Sequence, residues 1–203
     1  AIGYESQKDT IGSENTSIGY NSLEFNTSGT KNVVIGYAAA GGAAFAGDSN
    51  VAIGYAGLSA NTSGDYNIAI GHQTLNSNTT GGDNLAIGDF ALTTTKTSSR
   101  NVALGSEALR YIGDGGNGYN MVAVGWNAGK SHAGGNLVTA SYGVFIGHTT
   151  KAAENNSVNE IVIGSQLTGK GSNTAVIGDA GITDIYLSSD VGATVHTGTV
   201  SGS

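Results

Sequence analysis

The four histidines are the residues best suited to metal binding or acid–base chemistry, and their spacing favours neither. They stand far apart, and the chain has no cysteine that could complete a set of metal ligands. Metal sites need ligands at short, regular spacings. The 15 acidic residues are scattered, and no two stand out as the acid and base of a glycosidase. We therefore expect no enzyme activity, no cofactor and no metal site. The histidines are His72, His132, His148 and His196.

Aromatic side chains are the other group with binding potential, and several lie in two glycine-rich stretches around the single Trp. These stretches, Arg110–Tyr119 and Lys130–Tyr142, also mark the longest intervals of the repeat described below. Aromatic rings supply large contact area at low entropy cost and suit the faces of sugars. The alternative is that both stretches are neutral decorations. The predicted receptor-binding residues are Tyr111, Tyr119, Trp126, His132 and Tyr142.

Composition argues against two classes of partner. The net charge is -7, and only eight Lys and Arg are spread over 203 residues. Nucleic-acid binding requires a concentrated basic surface that displaces counterions. No run approaches the 18 or more apolar residues of a membrane-spanning helix. We expect neither nucleic-acid binding nor membrane insertion.

A short repeat runs through nearly the whole chain. Copies of Asn-x-Ala-Ile-Gly, such as Asn67–Gly71, return about every 17 residues. A fixed short period is typical of a solenoid, in which each repeat forms one coil. The sequence predicts an all-β parallel β-roll or β-solenoid of about eleven 17-residue coils. The motif glycines are Gly3, Gly19, Gly36, Gly54, Gly71, Gly88, Gly105, Gly125, Gly147, Gly164 and Gly178.

Each copy of the motif predicts a short strand. Positions are counted here from the motif glycine, so that in Asn67–Gly71 the isoleucines stand at −3 and −1. Alternating apolar residues lie on one face of a strand, and we expect these two positions to face the coil interior, together with the Leu that is frequent at +4. Position −2, usually Ala, should then point outward. A column of small apolar residues there favours self-association into a homotrimer, although a merely Ala-rich surface is the alternative.

The glycine and asparagine of the motif have backbone roles. Glycine permits a sharp corner with positive φ, and stacked asparagines can hydrogen-bond in a ladder. The Asn-Thr-Ser/Thr-Gly segments that begin at Asn26, Asn61 and Asn78 match the N-glycosylation pattern, but we interpret them as turns. The predicted structural residues are Gly36, Gly54, Gly71, Gly88, Gly105, Asn32, Asn50, Asn67, Asn84 and Asn101.

Position +1 forms a mostly aromatic column at the outer corner of the coils. Its rings could stack against sugars, or could simply fill the corner or pack between chains. The aromatic members are Tyr4, Tyr20, Tyr37, Tyr55, His72, Trp126 and His148, and the column is interrupted by Asp89, Ser106, Ser165 and Asp179.

The motif resembles the head repeat of trimeric autotransporter adhesins of bacteria. Its longer form, from Gly54 through Asn61–Gly64 to Gly71, is similar to repeats in phage tail fibres, and the resemblance covers about residues 1–180. It implies a left-handed parallel β-roll of three chains. Thr183–Leu187 and Ala193–His196 resemble the stretch that precedes an endosialidase-type intramolecular chaperone, which cuts itself off after a Ser such as Ser203.

These resemblances predict two parts, a repeat solenoid at 1–182 and a C-terminal segment at 183–203 before a removed chaperone. We expect a fragment of a viral tail fibre, located in the virion, that presents or spaces a surface for host attachment through a cell-surface glycan or protein receptor. The alternatives are the head of a bacterial adhesin at the cell surface and, less favoured, a tailspike that depolymerises polysaccharide.

Overall fold

The chain folds as a parallel β-solenoid. A computed structural model describes residues 1–8, 11–42, 44–112, 118–132, 134–136, 139–179 and 181–182. Within them, ten three-residue strands stack in chain order into one sheet. The strands are β1 (Thr16–Ile18), β2 (Val33–Ile35), β3 (Val51–Ile53), β4 (Ile68–Ile70), β5 (Leu85–Ile87), β6 (Val102–Leu104), β7 (Val122–Val124), β10 (Val144–Ile146), β11 (Ile161–Ile163) and β12 (Ala175–Ile177).

The predicted all-β parallel solenoid is therefore confirmed, with about nine turns joining the ten strands. The predicted number of about eleven coils counted every motif glycine as one coil and is not reached in the sheet. Ile2 adds only an isolated parallel bridge to Ile18. The segment 183–203 lies outside the described residues. The described part of the chain has no helix long and apolar enough to span a membrane.

Two further strands form a small hairpin in the second enlarged coil, between β7 and β10. They are β8 (Ser131–His132) and β9 (Gly135–Asn136), which pair antiparallel. The interval from Gly125 to Gly147 is the longest between successive motif glycines, and its surplus is taken up partly by this excursion.

The strands of the sheet stack in register along its whole length. Ala52 pairs with Ala69, and Ala69 pairs with Ala86, so each motif position forms a column. A slip of one residue would exchange the two faces of a strand. The register therefore fixes which columns face the interior.

The predicted orientation of these columns is wrong. Ala52 and Ala69, at position −2 of successive coils, are fully buried. Val51 and Ile53, which flank Ala52 at −3 and −1, are only half-buried. The interior of such a narrow coil leaves room for Ala beneath the sheet, because Leu from the opposite side fills the rest. The larger β-branched residues consequently face outward.

Leucines at +4 fill the interior, as predicted. Leu58 and Leu75 are fully buried, and their φ angles of 53° and 50° lie in the left-handed region. Such a conformation costs about 1–2 kcal/mol for an L-residue. Burial of each Leu, about 1.5–3 kcal/mol, offsets this, and the Leu58 amide also donates to the Thr74 carbonyl at 3.1 Å.

The motif glycines occupy corners where two coils touch. Gly71 has φ of +135°, and a Cβ placed there would lie 2.8 Å from the carbonyl carbon and oxygen of Gly88. Gly54 has φ of +130°, and a Cβ there would lie 2.3 Å from the carbonyl oxygen of Gly71. A side chain at this corner would be both strained and in collision with the next coil.

The motif asparagines form a buried ladder. Asn67 donates from Nδ2 to Asn50 Oδ1 at 3.1 Å and to the Gly81 carbonyl at 2.9 Å. Its Oδ1 accepts from the amide nitrogen and Nδ2 of Asn84, at 3.2 and 3.0 Å. The pattern continues to Asn101, whose Oδ1 accepts from the Met121 amide at 3.1 Å. Side chains thus tie successive coils together inside the solenoid.

A second set of asparagines closes the turns. Asn61 donates from Nδ2 to the Gly64 carbonyl at 2.9 Å, and its Oδ1 accepts from the Gly64 amide at 3.1 Å. Asn26, Asn61 and Asn78 are all fully buried. This agrees with their interpretation as turn residues, because a buried amide cannot carry a glycan.

Candidate receptor-binding surface

The first five rings of the +1 column form a continuous stack, called here the aromatic ladder. Adjacent ring centroids are 5.0–5.3 Å apart, with planes 4–13° from parallel. The inner rings cover each other's faces and expose only their edges, which excludes stacking of sugars between them and supports the corner-filling alternative. The pKa of Tyr20 is raised, chiefly by partial burial and to a smaller extent by the neighbouring phenols of Tyr37 and Tyr4. The ladder consists of Tyr4, Tyr20, Tyr37, Tyr55 and His72.

The column has no ring at the next two levels, which carry Asp89 and Ser106. Phe90, one residue further along, contacts His72 edge-on, with centroids 5.0 Å apart and planes at 66°. The column resumes with Trp126, which stacks on His148 at 5.0 Å and 18°. Trp126 is 51% exposed.

Tyr111 belongs to a cluster of charged and aromatic side chains. The Arg110 guanidinium lies 5.2 Å from the Tyr111 ring centroid and 4.7 Å from that of Phe90, and Lys130 Nζ lies 5.6 Å from Tyr111. Glu107 pairs with Arg110 at 3.2 Å and with Lys130. Because Lys130 and then Arg110 hydrogen-bond to it, the pKa of Glu107 is lowered despite the opposing effect of burial. Both cations are thus held in place by one carboxylate.

Tyr119 and Tyr142 lie on adjacent coils at the opposite end of the strands from Trp126. The Tyr142 amide donates to the Tyr119 carbonyl at 3.0 Å, and Arg100 lies 6.0 Å from the Tyr119 ring centroid. Tyr142 is 59% exposed. It borders an open cavity of about 440 Å³, lined by Thr139, Ala140, Ser141, Tyr142, Asn156 and Val158.

Thr139 fixes one wall of this cavity. Its amide donates to Asn155 Oδ1 at 3.0 Å, and its hydroxyl donates to the Asn155 carbonyl at 2.9 Å and contacts Asn156 Oδ1. The wall is therefore held by the next coil.

His132 lies in the β8–β9 hairpin. Its Nδ1 accepts a hydrogen bond from the Gly134 amide at 3.0 Å, and its backbone forms a parallel bridge with Ala152. Among the described residues, no three His, Asp or Glu side chains are grouped as metal ligands.

The five predicted receptor-binding residues thus lie on neighbouring coils but at separate places. Trp126 follows β7, whereas Tyr142 precedes β10. No ring contact links Tyr111, Trp126 and Tyr142 in the described part of the chain. Sequence reasoning missed Phe90 and the Glu107–Arg110–Lys130 cluster. The spacing of Glu107 and Arg110, three residues apart, was the available signal.

No known protein family, no curated protein and no solved structure is significantly similar to this chain.

Proposed function

We propose that this chain is a structural and adhesive segment of a trimeric viral tail fibre, and that it presents or spaces a surface for a host receptor, a cell-surface glycan. The observation that carries the proposal is the outer side of the sheet, called here the outer aliphatic face. It comprises positions −3 and −1 of all ten strands.

The outer aliphatic face is continuous and uncharged. Of its twenty residues, all except Thr16 are Val, Ile, Leu or Ala. Ile68 and Ile87, for example, are 37% and 38% exposed in the single chain. Soluble monomers rarely expose an apolar surface of this extent, and such surfaces mark protein interfaces.

Further copies of the same chain are the partners that suit this face. Because every coil repeats the same outer positions, identical chains in parallel offer one another matching aliphatic columns along their whole length. The resemblance to trimeric adhesin heads favours three chains. The self-association that the sequence assigned to the Ala column is thus transferred to the outer aliphatic face, since the Ala column is interior.

Receptor binding is proposed for the enlarged coils. The regular coils repeat the same small surface. The two enlarged coils differ, because they add exposed aromatic rings and the cavity beside Tyr142 to the surface. They run from Gly105 to Gly125 and from Gly125 to Gly147. Three copies in a trimer would convert a weak affinity into avidity.

The test is to shorten both enlarged coils to the length of a regular coil, such as that from Gly71 to Gly88. The trimmed and full fibres are compared on a glycan array and in adsorption to host cells. We expect a folded trimer that has lost binding. If the trimmed fibre binds as the full fibre does, the enlarged coils do not carry the receptor site and this segment is a spacer.

A further inference from the structure

One face of Trp126 has no neighbouring ring, because the aromatic column is interrupted at Asp89 and Ser106. Of the rings in the described residues, only His148 stacks on Trp126. The interior rings of the ladder, in contrast, are covered on both faces. Trp126, which is 51% exposed, therefore has one indole face on which no ring of the described residues stacks, beside two levels that lack a ring.

Backbone hydrogen bonds place these levels directly above one another. The Glu107 amide donates to the Asp89 carbonyl at 2.8 Å, and the Asn127 amide donates to the Ser106 carbonyl at 3.0 Å. At about 4.8 Å per coil, the levels of His72 and Trp126 are separated by about 14 Å. A flat ring stacks at about 3.5–4 Å between carbons. Because Phe90 shields the side next to His72, the interruption has the height for one ligand ring on the side of Trp126.

Polar groups line the same levels. Asp89 is exposed, and its Oδ1 accepts a hydrogen bond from the His72 amide at 3.2 Å. This bond holds the carboxylate on the His72 side of its level. Ser106 adds a half-buried hydroxyl. A carboxylate and a hydroxyl suit a ligand with several hydroxyl donors.

The local charge favours a neutral ligand. The carboxylates of Asp89 and Glu107 are balanced by Arg110 and Lys130, and both cations already pair with Glu107. Arg110 and Lys130 are thus already engaged and offer little to an anion, and the four formal charges sum to zero. A pyranose combines an apolar C–H face, which suits the indole face, with hydroxyls at its rim.

We propose that the levels of Asp89 and Ser106 form a subsite for one pyranose ring of a neutral saccharide. The ring stacks on the Trp126 face that has no neighbouring ring and bonds to the Ser106 hydroxyl, and hydroxyls further along the saccharide bond to the Asp89 carboxylate. This inference rests on the proposed glycan-binding function and assigns it a position and a ligand class.

Tryptophan fluorescence tests the subsite directly, because Trp126 is the only Trp in the chain. The probes are maltohexaose, cellohexaose, mannohexaose and chitohexaose, titrated to about 10 mM, since a site of one ring binds in the millimolar range. Isothermal calorimetry on the same samples detects binding anywhere on the fibre. We expect a saturable change in fluorescence with at least one probe, accompanied by heat of binding.

Three variants sharpen the test. Ser106→Tyr places a ring on the free indole face and should abolish the fluorescence response, while the melting temperature stays equal or rises, because other coils carry Tyr at this position. Asp89→Asn should weaken binding about tenfold. Tyr37→Leu is the control, since both faces of that ring are covered by Tyr20 and Tyr55, and it should bind as the parent does.

Heat of binding without a fluorescence change, unaffected by Ser106→Tyr, would overturn the subsite but leave the proposed function standing. Choline, titrated in the same way, serves as a cationic comparison, and a response to choline but not to the saccharides would overturn the ligand class. Neither heat nor fluorescence change with any probe would also overturn the subsite, and host-cell adsorption of the full fibre would then decide the proposed function separately.

Discussion

At the scale of the residue, buried polar side chains hold successive coils together. The Asn67 side chain makes one hydrogen bond with the previous coil, at Asn50, and three with the next coil, at Gly81 and Asn84, and it has no contact with solvent. A buried polar group that loses its partner costs about 1–3 kcal/mol. The asparagine ladder is therefore sensitive to the loss of any inner member.

Asn67→Ala should destabilise the fold by about 3–5 kcal/mol, because partners on both neighbouring coils lose their hydrogen bonds inside the solenoid. Asn15→Ala is the matched control at the end of the ladder, where Asn15 is half-buried and water can replace it. Thermal melts of both variants measure the difference. Equal losses of melting temperature would contradict the role given to the buried ladder.

Glu107 predicts a specific dependence of stability on pH. Its pKa is lowered in the folded protein, chiefly by the Lys130 hydrogen bond, so the ion pairs stabilise the fold above the ordinary carboxyl pKa of about 4.3. This contribution is lost as the pH falls through the lower, folded value. Glu107→Gln should therefore melt below the parent at pH 7, with the difference vanishing in acid, below the lowered pKa of Glu107.

The control for this prediction is Glu154→Gln, which alters an exposed carboxylate elsewhere on the solenoid. The melting temperature of Glu154→Gln should stay close to that of the parent both at pH 7 and in acid. A difference between parent and Glu107→Gln that persists in acid would show that the lost ion pairs are not its cause.

At the scale of the element, each coil is defined by its corner glycine. At Gly71, φ of +135° and the close approach of Gly88 both exclude a side chain. Gly57 is buried, but a Cβ there would meet its nearest neighbour, the Thr74 carbonyl oxygen, at 3.7 Å. Other coils carry Ala39, Ala91 and Ala108 at the position of Gly57. The two glycines thus differ in whether the backbone requires them.

Gly71→Ala should destabilise the protein by about 2–4 kcal/mol, through backbone strain and overpacking against Gly88. Gly57→Ala should be neutral or stabilise by up to about 1 kcal/mol, because Ala restricts the unfolded chain. Denaturant or thermal unfolding distinguishes the two. Similar destabilisation by both substitutions would show that the corner is not the constraint.

The repeat in the sequence was sufficient to predict strands, stacking and the Asn, Gly and Leu columns, because one regular coil imposes the same demand on each copy. It was not sufficient to predict which face of the strand is interior. Alternation of Ile68, Ala69 and Ile70 defines two faces but does not say which is inside. The space inside the coil decides which face points inward, and Leu75, packing from the opposite side, leaves room only for a small side chain such as Ala69.

The candidate site was predictable only in part for a related reason. Local sequence identified the enlarged coils and their aromatic residues, including Trp126 and Tyr142. Their positions around the coil, at opposite ends of the strands, depend on register between coils. The gap in the aromatic column at Asp89 and Ser106 could be proposed as a subsite only after the structure showed that the neighbouring rings stack.

At the scale of the whole molecule, the outer aliphatic face is the feature that a single chain leaves unsatisfied. Ile70 and Ile87 are in-register neighbours on it. Replacing both by Lys should prevent association of the chains, because charges would be buried without partners. Thr80→Lys with Thr97→Lys is the matched control, at two exposed turn positions of neighbouring coils, and should assemble normally. Size-exclusion chromatography with light scattering measures the molar mass of both double variants. Normal assembly of the Ile70 and Ile87 variant would contradict the proposed interface.

The mass of the unmodified protein in solution tests the central proposal most directly. Sedimentation equilibrium at micromolar concentration should give three times the 20.2 kDa of one chain, with a far-ultraviolet spectrum of β-structure. A folded species with the mass of a single chain under the same conditions would contradict the trimeric fibre and leave the outer aliphatic face without the partner assigned to it.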